Sequence, residues 1–260
     1  MSQTNAELIA LEGPDGSGKS TITKYLEEKL NSLGIPSVRT HEVGGTPVGS
    51  ELRNICFNKR NDEVLHSSAR LLLVYAARIQ HVNCVIAPNL ESGINIVTDR
   101  FNMSTMVYDG VLGNQTLLMS QIEEHVVTML PNVVIYLDVD PEIASKRMEH
   151  RGKVDNTLYK GNKDKAIKIH NAYRKVMAIW KTSDKYKNVP IFIVDAKQNE
   201  SGVKAQIDLV INTIFNLEGA KAMAVVTPNS TPSVLSTPTE DVNYVTVVSI
   251  VDNPAMEQVK

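Results

Sequence analysis

A chain of 260 residues with 42% hydrophobic and 22% charged side chains can bury a large core, enough for one α/β domain plus an extension. Its 27 Lys and Arg against 29 Asp and Glu leave a net charge of −2, which provides no basic field for bulk nucleic-acid binding. The two cysteines, Cys56 and Cys84, read as reduced, buried thiols. No apolar stretch approaches membrane-spanning length and Met1–Glu7 is polar, so a cytoplasmic protein without a membrane partner is expected.

The first element, Leu8–Leu11, is a short aliphatic run of the kind that forms a buried parallel strand. It leads into Gly13-Pro14-Asp15-Gly16-Ser17-Gly18-Lys19-Ser20-Thr21, which fits the phosphate-loop pattern G-x-x-x-x-G-K-[ST] without a mismatch. Glycines let the backbone turn tightly and aim its N–H groups at an anion, and the helix that follows adds its positive end. Lys19 can reach β- and γ-phosphates, and the Ser20 hydroxyl can ligate Mg²⁺. A nucleoside triphosphate is therefore expected here. The helix over Ser20–Leu33 closes at Gly34.

Further along, strands are predicted at Ser37–Thr40, Ile94–Thr98, Val133–Leu137 and Ile191–Val194. Helices are predicted at Val48–Phe57, Glu63–Ala87, Leu117–Met129, Pro141–His150, Lys163–Lys185 and Ser201–Asn216. This alternation implies a three-layer α/β/α fold of the P-loop NTPase kind, with a five-stranded parallel sheet. Ligands of such sheets bind beyond the C-terminal strand ends. Glu42, Asp99-Arg100 and Asp195 all fall at such ends. The domain is expected to occupy residues 1–218. Residues 219–260 form a Pro/Ser/Thr-rich, partly disordered tail. Inside it, Val242–Val251 is β-prone and suited to add a strand to a sheet edge or to bind a partner.

Three groups could carry chemistry beyond the loop. Asp99 can hold Mg²⁺ beside the loop, and Arg100 can grip a second phosphate with its planar fork. Arg78, on an apolar helix, suits a second clamp on an acceptor phosphate. The basic stretch Lys146–Asp155, with Arg147, Arg151 and Lys153 around Gly152, suits a loop that places cations on a phosphoryl group in transfer.

Five ordered blocks carry a specific resemblance. They are E-G-P-D-G-S-G-K-S-T at 12–21, H-E-V-G-G-T-P-V-G-S-E-L-R at 41–53, L-L-L-V-Y-A-A-R-I-Q-H-V at 71–82, D-R-F-N-M-S-T-M-V-Y-D-G at 99–110 and Y-L-D-V-D-P-E-I-A-S-K-R-M-E-H-R-G at 136–152. Over about residues 6–217 the chain resembles thymidylate kinases, P-loop enzymes that transfer the γ-phosphate of ATP to dTMP. The resemblance implies that Asp15 approaches the acceptor sugar and that Glu42 lies by the acceptor pocket. Arg78 and Arg100 would hold the monophosphate, and Ser104, Thr105 and Tyr108 would line the base and sugar site. Gly16 follows Asp15 where another group of the family has arginine. The chain is thus similar to the bacterial-type group, whose lid supplies the catalytic arginine. That implies Arg151, with Arg147 and Lys153 in support.

The chain departs from the family pattern at four places. His41-Glu42-Val43 stands for R-E-P, Val74 for a phenylalanine stacking on thymine, Asp109 for glutamine, and Asp155-Asn156 for the lid's aspartate-arginine pair. Tyr75, one residue past Val74, is rotated about 100° away on the helix. A Mg²⁺- and ATP-dependent kinase acting on dTMP is the leading expectation. Open alternatives are a kinase for dUMP, a 5-substituted deoxyuridylate or several deoxynucleotides, a deoxynucleoside kinase, and a P-loop scaffold without turnover. The apolar helix over 63–87 further implies a homodimer.

Overall fold

The structure is a computed structural model and describes residues 6–58, 63–125, 129–150, 163–217 and 244–247. Strand β1 (Leu8–Glu12) leads through the glycine-rich loop into α1 (Lys19–Ser32). There follow β2 (Ser37–His41), α2 (Pro47–Phe57) and α3 (Ser67–His81). Helix α3 runs through a π-helical turn, Val82–Ile86, into α4 (Ala87–Glu91). Then come β3 (Asn95–Asp99), α5 (Asn102–Thr105) with a second π-helical turn at Met106–Val111, and α6 (Thr116–His125). The chain continues with β4 (Val133–Asp138), α7 (Pro141–His150), α8 (Lys163–Thr182), β5 (Ile191–Asp195), α9 (Glu200–Phe215) and β6 (Tyr244–Val247).

The strands form one sheet in the order β2-β3-β1-β4-β5-β6, with every pair parallel. The five strands expected from the sequence are its core, and the tail supplies the sixth at the edge of β5. Alternate side chains serve opposite faces. Leu8, Ala10, Val134 and Tyr136 join a core with Trp180 and Tyr173 of α8 and Leu71 and Tyr75 of α3. Ile9, Leu11, Ile135 and Leu137 join a second core with Ile22 and Leu26 of α1 and Val203 and Ile207 of α9. Both faces of the sheet are covered, which is why its strands read as unbroken aliphatic runs.

Local signals place the elements around the strand ends. The Thr46 side chain accepts a hydrogen bond of 2.9 Å from Gly49 N, with Pro47 in the first turn of α2, a standard N-cap arrangement. Asn199 caps α9 in the same way through Gly202 N.

Three expectations change. By length and composition the continuous helix Ser67–Glu91 is able to cross a membrane, contrary to the sequence reading. In the fold, Leu71, Val74, Tyr75, Ala77 and Ile86 on this helix are core residues, and the buried Arg78 and His81 sit among them. Cys84 is exposed, while Cys56 is buried, and the two form no disulfide. Residues 102–111, read from sequence as carrying no element, are helical and almost wholly buried.

Candidate active site

The loop after β1 wraps the N-terminus of α1. Gly16 has φ +84, and a Cβ there would lie 2.3 Å from the Ala144 carbonyl oxygen of α7. A side chain at that position requires α7 to shift. Lys19 is 6% exposed and donates to the carbonyls of Gly13 (2.9 Å) and Pro14 (2.8 Å). Burial, and secondarily the nearby Arg100, brings its pKa down from 10.5 to about 8, against the pull of Asp15, Asp99 and Glu12. The ammonium is thus parked on backbone oxygens that a phosphate can replace.

Ser20 donates to Asp99 Oδ2 at 2.9 Å. The other carboxylate oxygen, Asp99 Oδ1, is buried and has no hydrogen-bond partner among the described residues. A hydroxyl and a carboxylate at the mouth of a phosphate loop are hard oxygen donors that fit Mg²⁺. No cluster of three or more His, Cys, Asp or Glu side chains suited to a metal occurs among the described residues. An ion held here needs phosphate oxygens and water to complete its shell.

Arg100 follows β3 with φ +72, a left-handed conformation that costs energy for a side chain of its size. The surroundings compensate. Its N–H donates to Leu11 O, and the Thr98 hydroxyl donates to its carbonyl. The guanidinium donates to Asp15 Oδ1 (2.5 Å), Ser104 Oγ (2.8 Å) and Tyr173 Oη (3.1 Å), and it lies over the Tyr108 ring at 5.3 Å. Asp15 is held below the usual carboxylate range by Arg100 and Lys19, against the opposing effect of its own burial. Beneath this cluster Glu12 is fully buried. It accepts from the Ser104 hydroxyl (2.6 Å) and from the backbone N–H groups of Phe101 and Ser104. Burial raises its pKa despite those donors and Arg100.

Arg78 is 2% exposed. It donates from Nε to Glu42 Oε2 (2.7 Å) and from Nη2 to Thr105 Oγ1 (2.7 Å), and its guanidinium lies near the rings of Phe101 and Tyr75. Nη1 is buried with no hydrogen-bond partner among the described residues. The fully buried His81 bridges Glu42 Oε1 and the Thr40 hydroxyl. Its ring leaves no room for a Cβ at Gly45, where the nearest ring atom is 2.4 Å from the Cβ position. Val74 is buried one turn before Arg78. The Tyr75 hydroxyl donates to Glu123, while its ring lies 5.3 Å from the Arg78 guanidinium. Asp109 pairs with Arg70 at 2.7 Å, and burial raises its pKa against the pull of Arg70 and Arg78.

A cavity of about 730 Å³ brings together Asp15, Gly16, Lys19, Ser20, Glu42, Asp99 and Arg100, together with His41 and Arg53. A second cavity of about 480 Å³ lies on the other side of the loop, against Ser17, Gly18, Thr21, Arg147 and Gln198. Pro14 stands in the loop itself. Val74, Arg78, Ser104, Thr105, Tyr108 and Asp109 do not line the first cavity; Ser104 and Tyr108 contact Arg100, Arg78 joins Glu42 to Thr105, and Asp109 pairs with Arg70. Arg147 donates to the carbonyls of Ala196 (2.7 Å) and Gln198 (3.1 Å) and lines the second cavity. Arg151 and Lys153 lie outside the described residues.

Sequence reasoning missed Tyr173, which donates to Gly13 O at 2.9 Å from a helix more than 150 residues away. It also gave no role to Glu12, Arg53, Arg70 or His81. Three of these stand inside the quoted blocks, but nothing local says that Glu12 anchors the residues after β3 or that His81 holds Glu42.

Comparison with known proteins agrees with this geometry. The family model described as thymidylate kinase matches residues 11–207. The chain is 35% identical over 218 residues to the thymidylate kinase of Francisella tularensis subsp. holarctica (strain LVS), covering 82% of this chain and 99% of that one. It is 35% identical over 215 residues to the thymidylate kinase of Francisella philomiragia subsp. philomiragia, covering 81% of this chain and all of the relative. Matches of that extent take in the loop, both arginines and the strand-end acid alike, and the chain belongs to the thymidylate kinase family.

Proposed function

We propose that this chain transfers the γ-phosphate of ATP to dTMP, giving dTDP. The observation that carries the reading is one cavity holding Lys19, the Ser20–Asp99 pair and the Asp15–Arg100 pair, in a chain whose family match runs over most of its length. ATP lies along residues 13–21 with its base against Ala196–Gln198. Lys19 exchanges the Gly13 and Pro14 carbonyls for β- and γ-phosphate oxygens. Mg²⁺, when bound at Ser20 and Asp99, supplies positive charge to those oxygens. Arg100, poised by Asp15, Ser104 and Tyr173, holds the acceptor phosphate in line. Arg78, fixed by Glu42, closes the acceptor end beside Ser104, Thr105 and Tyr108. The attacking phosphate oxygen is already ionised at neutral pH, so no general base is required. The transition state is loose and charge-rich, so positioning and fixed cations do the work. Arg151, just beyond α7, is the further cation we assign to the transferred group, with Lys153 in support.

The test is ADP production with ATP and Mg²⁺ against dTMP, dUMP, dCMP, dGMP, dAMP and thymidine. dTMP giving the highest kcat/KM is the expected result. Preference for thymidine, or no turnover on any nucleotide, overturns the reading. A broader acceptor range, taking dUMP or 5-substituted deoxyuridylates, is favoured by one observation: Asp109 is engaged by Arg70, which stands one helical turn before the small Val74. Comparable rates with dTMP and dUMP in the same panel identify it.

The enzyme works as a homodimer in the cytoplasm. Leu72 and Ile79, seven residues apart on α3 and so on one face, are 52% and 38% exposed. Two cysteines that form no disulfide suit a reducing compartment. Sedimentation equilibrium at micromolar concentration is expected to give twice the chain mass, and Leu72→Asp to give the monomer. A wild-type monomer overturns the dimer.

A further inference from the structure

The tail is the part of the chain that the family does not explain, since the family match ends at residue 207 and the relatives align with 81–82% of the chain. Yet part of it is built into the sheet. Residues Tyr244–Val247 run parallel to β5 in the register Ile191↔Tyr244, Phe192↔Val245, Ile193↔Thr246 and Val194↔Val247. The surrounding run V-N-Y-V-T-V-V-S-I-V at 242–251 has the β-branched composition of a strand and no charge to resist pairing. Without it, β5 is the sheet edge and presents a row of unpaired N–H and C=O groups.

We propose that the outer edge of β5 is a docking site for the chain's own C-terminal segment, and that strand 244–247 braces the wall on which the nucleotide base rests. The second clause rests on the base placement given under the proposed function. The mechanical path is short. β5 ends at Asp195, and Ala196 N at once donates to Asp138 O at 2.8 Å. Arg147 holds the carbonyls of Ala196 and Gln198, and Asn199 caps α9. Everything between β5 and α9 is thereby tied to the position of β5, and Gln198 and Arg147 both line the second cavity. A strand paired along β5 up to Val194 holds the base of that short loop in place. Helix α9 touches β6 as well as β5, so the segment docks against two elements that are adjacent in the fold.

The experiment compares the full chain with two variants, one ending at Leu217 and one full-length carrying Val245→Pro and Thr246→Pro. Adjacent residues of a strand direct their N–H groups to opposite edges, so one of these prolines removes a donor to β5 whichever way the strand faces. Three readouts are taken: hydrogen exchange of peptides covering residues 191–199, thermal unfolding, and ATP affinity by calorimetric titration without acceptor. Both variants are expected to lose protection in β5, to unfold at least about 2–4 °C earlier, and to bind ATP on the order of 3- to 10-fold more weakly. Exchange of β5 unchanged in both variants overturns the docking. Loss of protection with ATP affinity intact overturns the bracing. Protection of β5 in the full chain that vanishes on dilution assigns the strand to a second copy and overturns the intramolecular pairing. Exchange and unfolding are read without substrate, so a wrong acceptor assignment leaves the docking test unaffected.

Discussion

Lys19→Ala lowers kcat/KM for ATP on the order of 10²–10³-fold, the loss typical of one preorganised donor to developing charge, while the protein stays folded. The side chain is buried in the loop and held by two backbone carbonyls, so its removal deletes the cation without disturbing either core. The same residue sets a pH limit. Its pKa is brought from 10.5 to about 8, mainly by burial and then by Arg100. A depressed ammonium pKa means that the cation is complete below that pH and is lost as pH rises through it. Initial rates are therefore expected to show kcat/KM for ATP falling above about pH 8. The decline in kcat comes later, since bound phosphates favour the charged form. Lys19→Arg retains charge but presents a planar fork in place of a compact ammonium; it is expected to abolish the alkaline decline at reduced activity. A wild-type profile flat well past pH 8, or an alanine variant with ordinary turnover, contradicts the role.

Arg78→Met is expected to act on stability and on acceptor binding together. Arg78 and Glu42 are 2% and 6% exposed, and their 2.7 Å contact joins α3 to the segment after β2. Burial works against the guanidinium's charge, but Glu42, Tyr75 and Glu123 together more than offset this and raise the pKa. Removing only the arginine strands a buried carboxylate, which costs about 3–5 kcal/mol. For a domain of this size that amounts to roughly 2–4 °C in Tm for each kcal/mol. Pairing Arg78→Met with Glu42→Gln removes the stranded charge and is expected to restore most of the loss, because residues in direct contact are not additive. It does not restore recognition: KM for dTMP stays raised by on the order of tenfold or more, the value of about 1.4 kcal/mol of lost contact. Thermal unfolding and steady-state kinetics on the three variants separate the effects. A double variant with wild-type KM makes Arg78 a structural residue.

The aliphatic runs at Leu8–Leu11 and Val133–Leu137 were legible as strands because both faces of each are buried, so nearly every side chain carries the signal. Residues 102–111 were not, because a four-residue helix joined to a π-helical turn has no 3.6-residue repeat to read. Its order comes from contacts that the segment does not contain, with Glu12 accepting the N–H groups of Phe101 and Ser104. The helix at 67–91 carries an ambiguous local signal. Its apolar composition passes for a membrane span, although much of it faces a protein interior. Arg147 has partners that charge reading does not reveal: from a basic stretch it donates to the carbonyls of Ala196 and Gln198.

The sequence alone determined the phosphate loop, because a backbone cradle for an anion requires glycine, lysine and serine at fixed local spacing. It also determined the parallel order of strand and helix, because hydrophobic periodicity is local. Only the tertiary structure decided how Glu12, Tyr173 and Ser104 hold Arg100, how His81 and Glu42 hold Arg78, and that the tail pairs with β5. Apart from Ser104 and Arg100, four positions apart, those are contacts between residues tens to more than a hundred positions apart, and their geometry depends on how helices and strands pack, which no local pattern encodes.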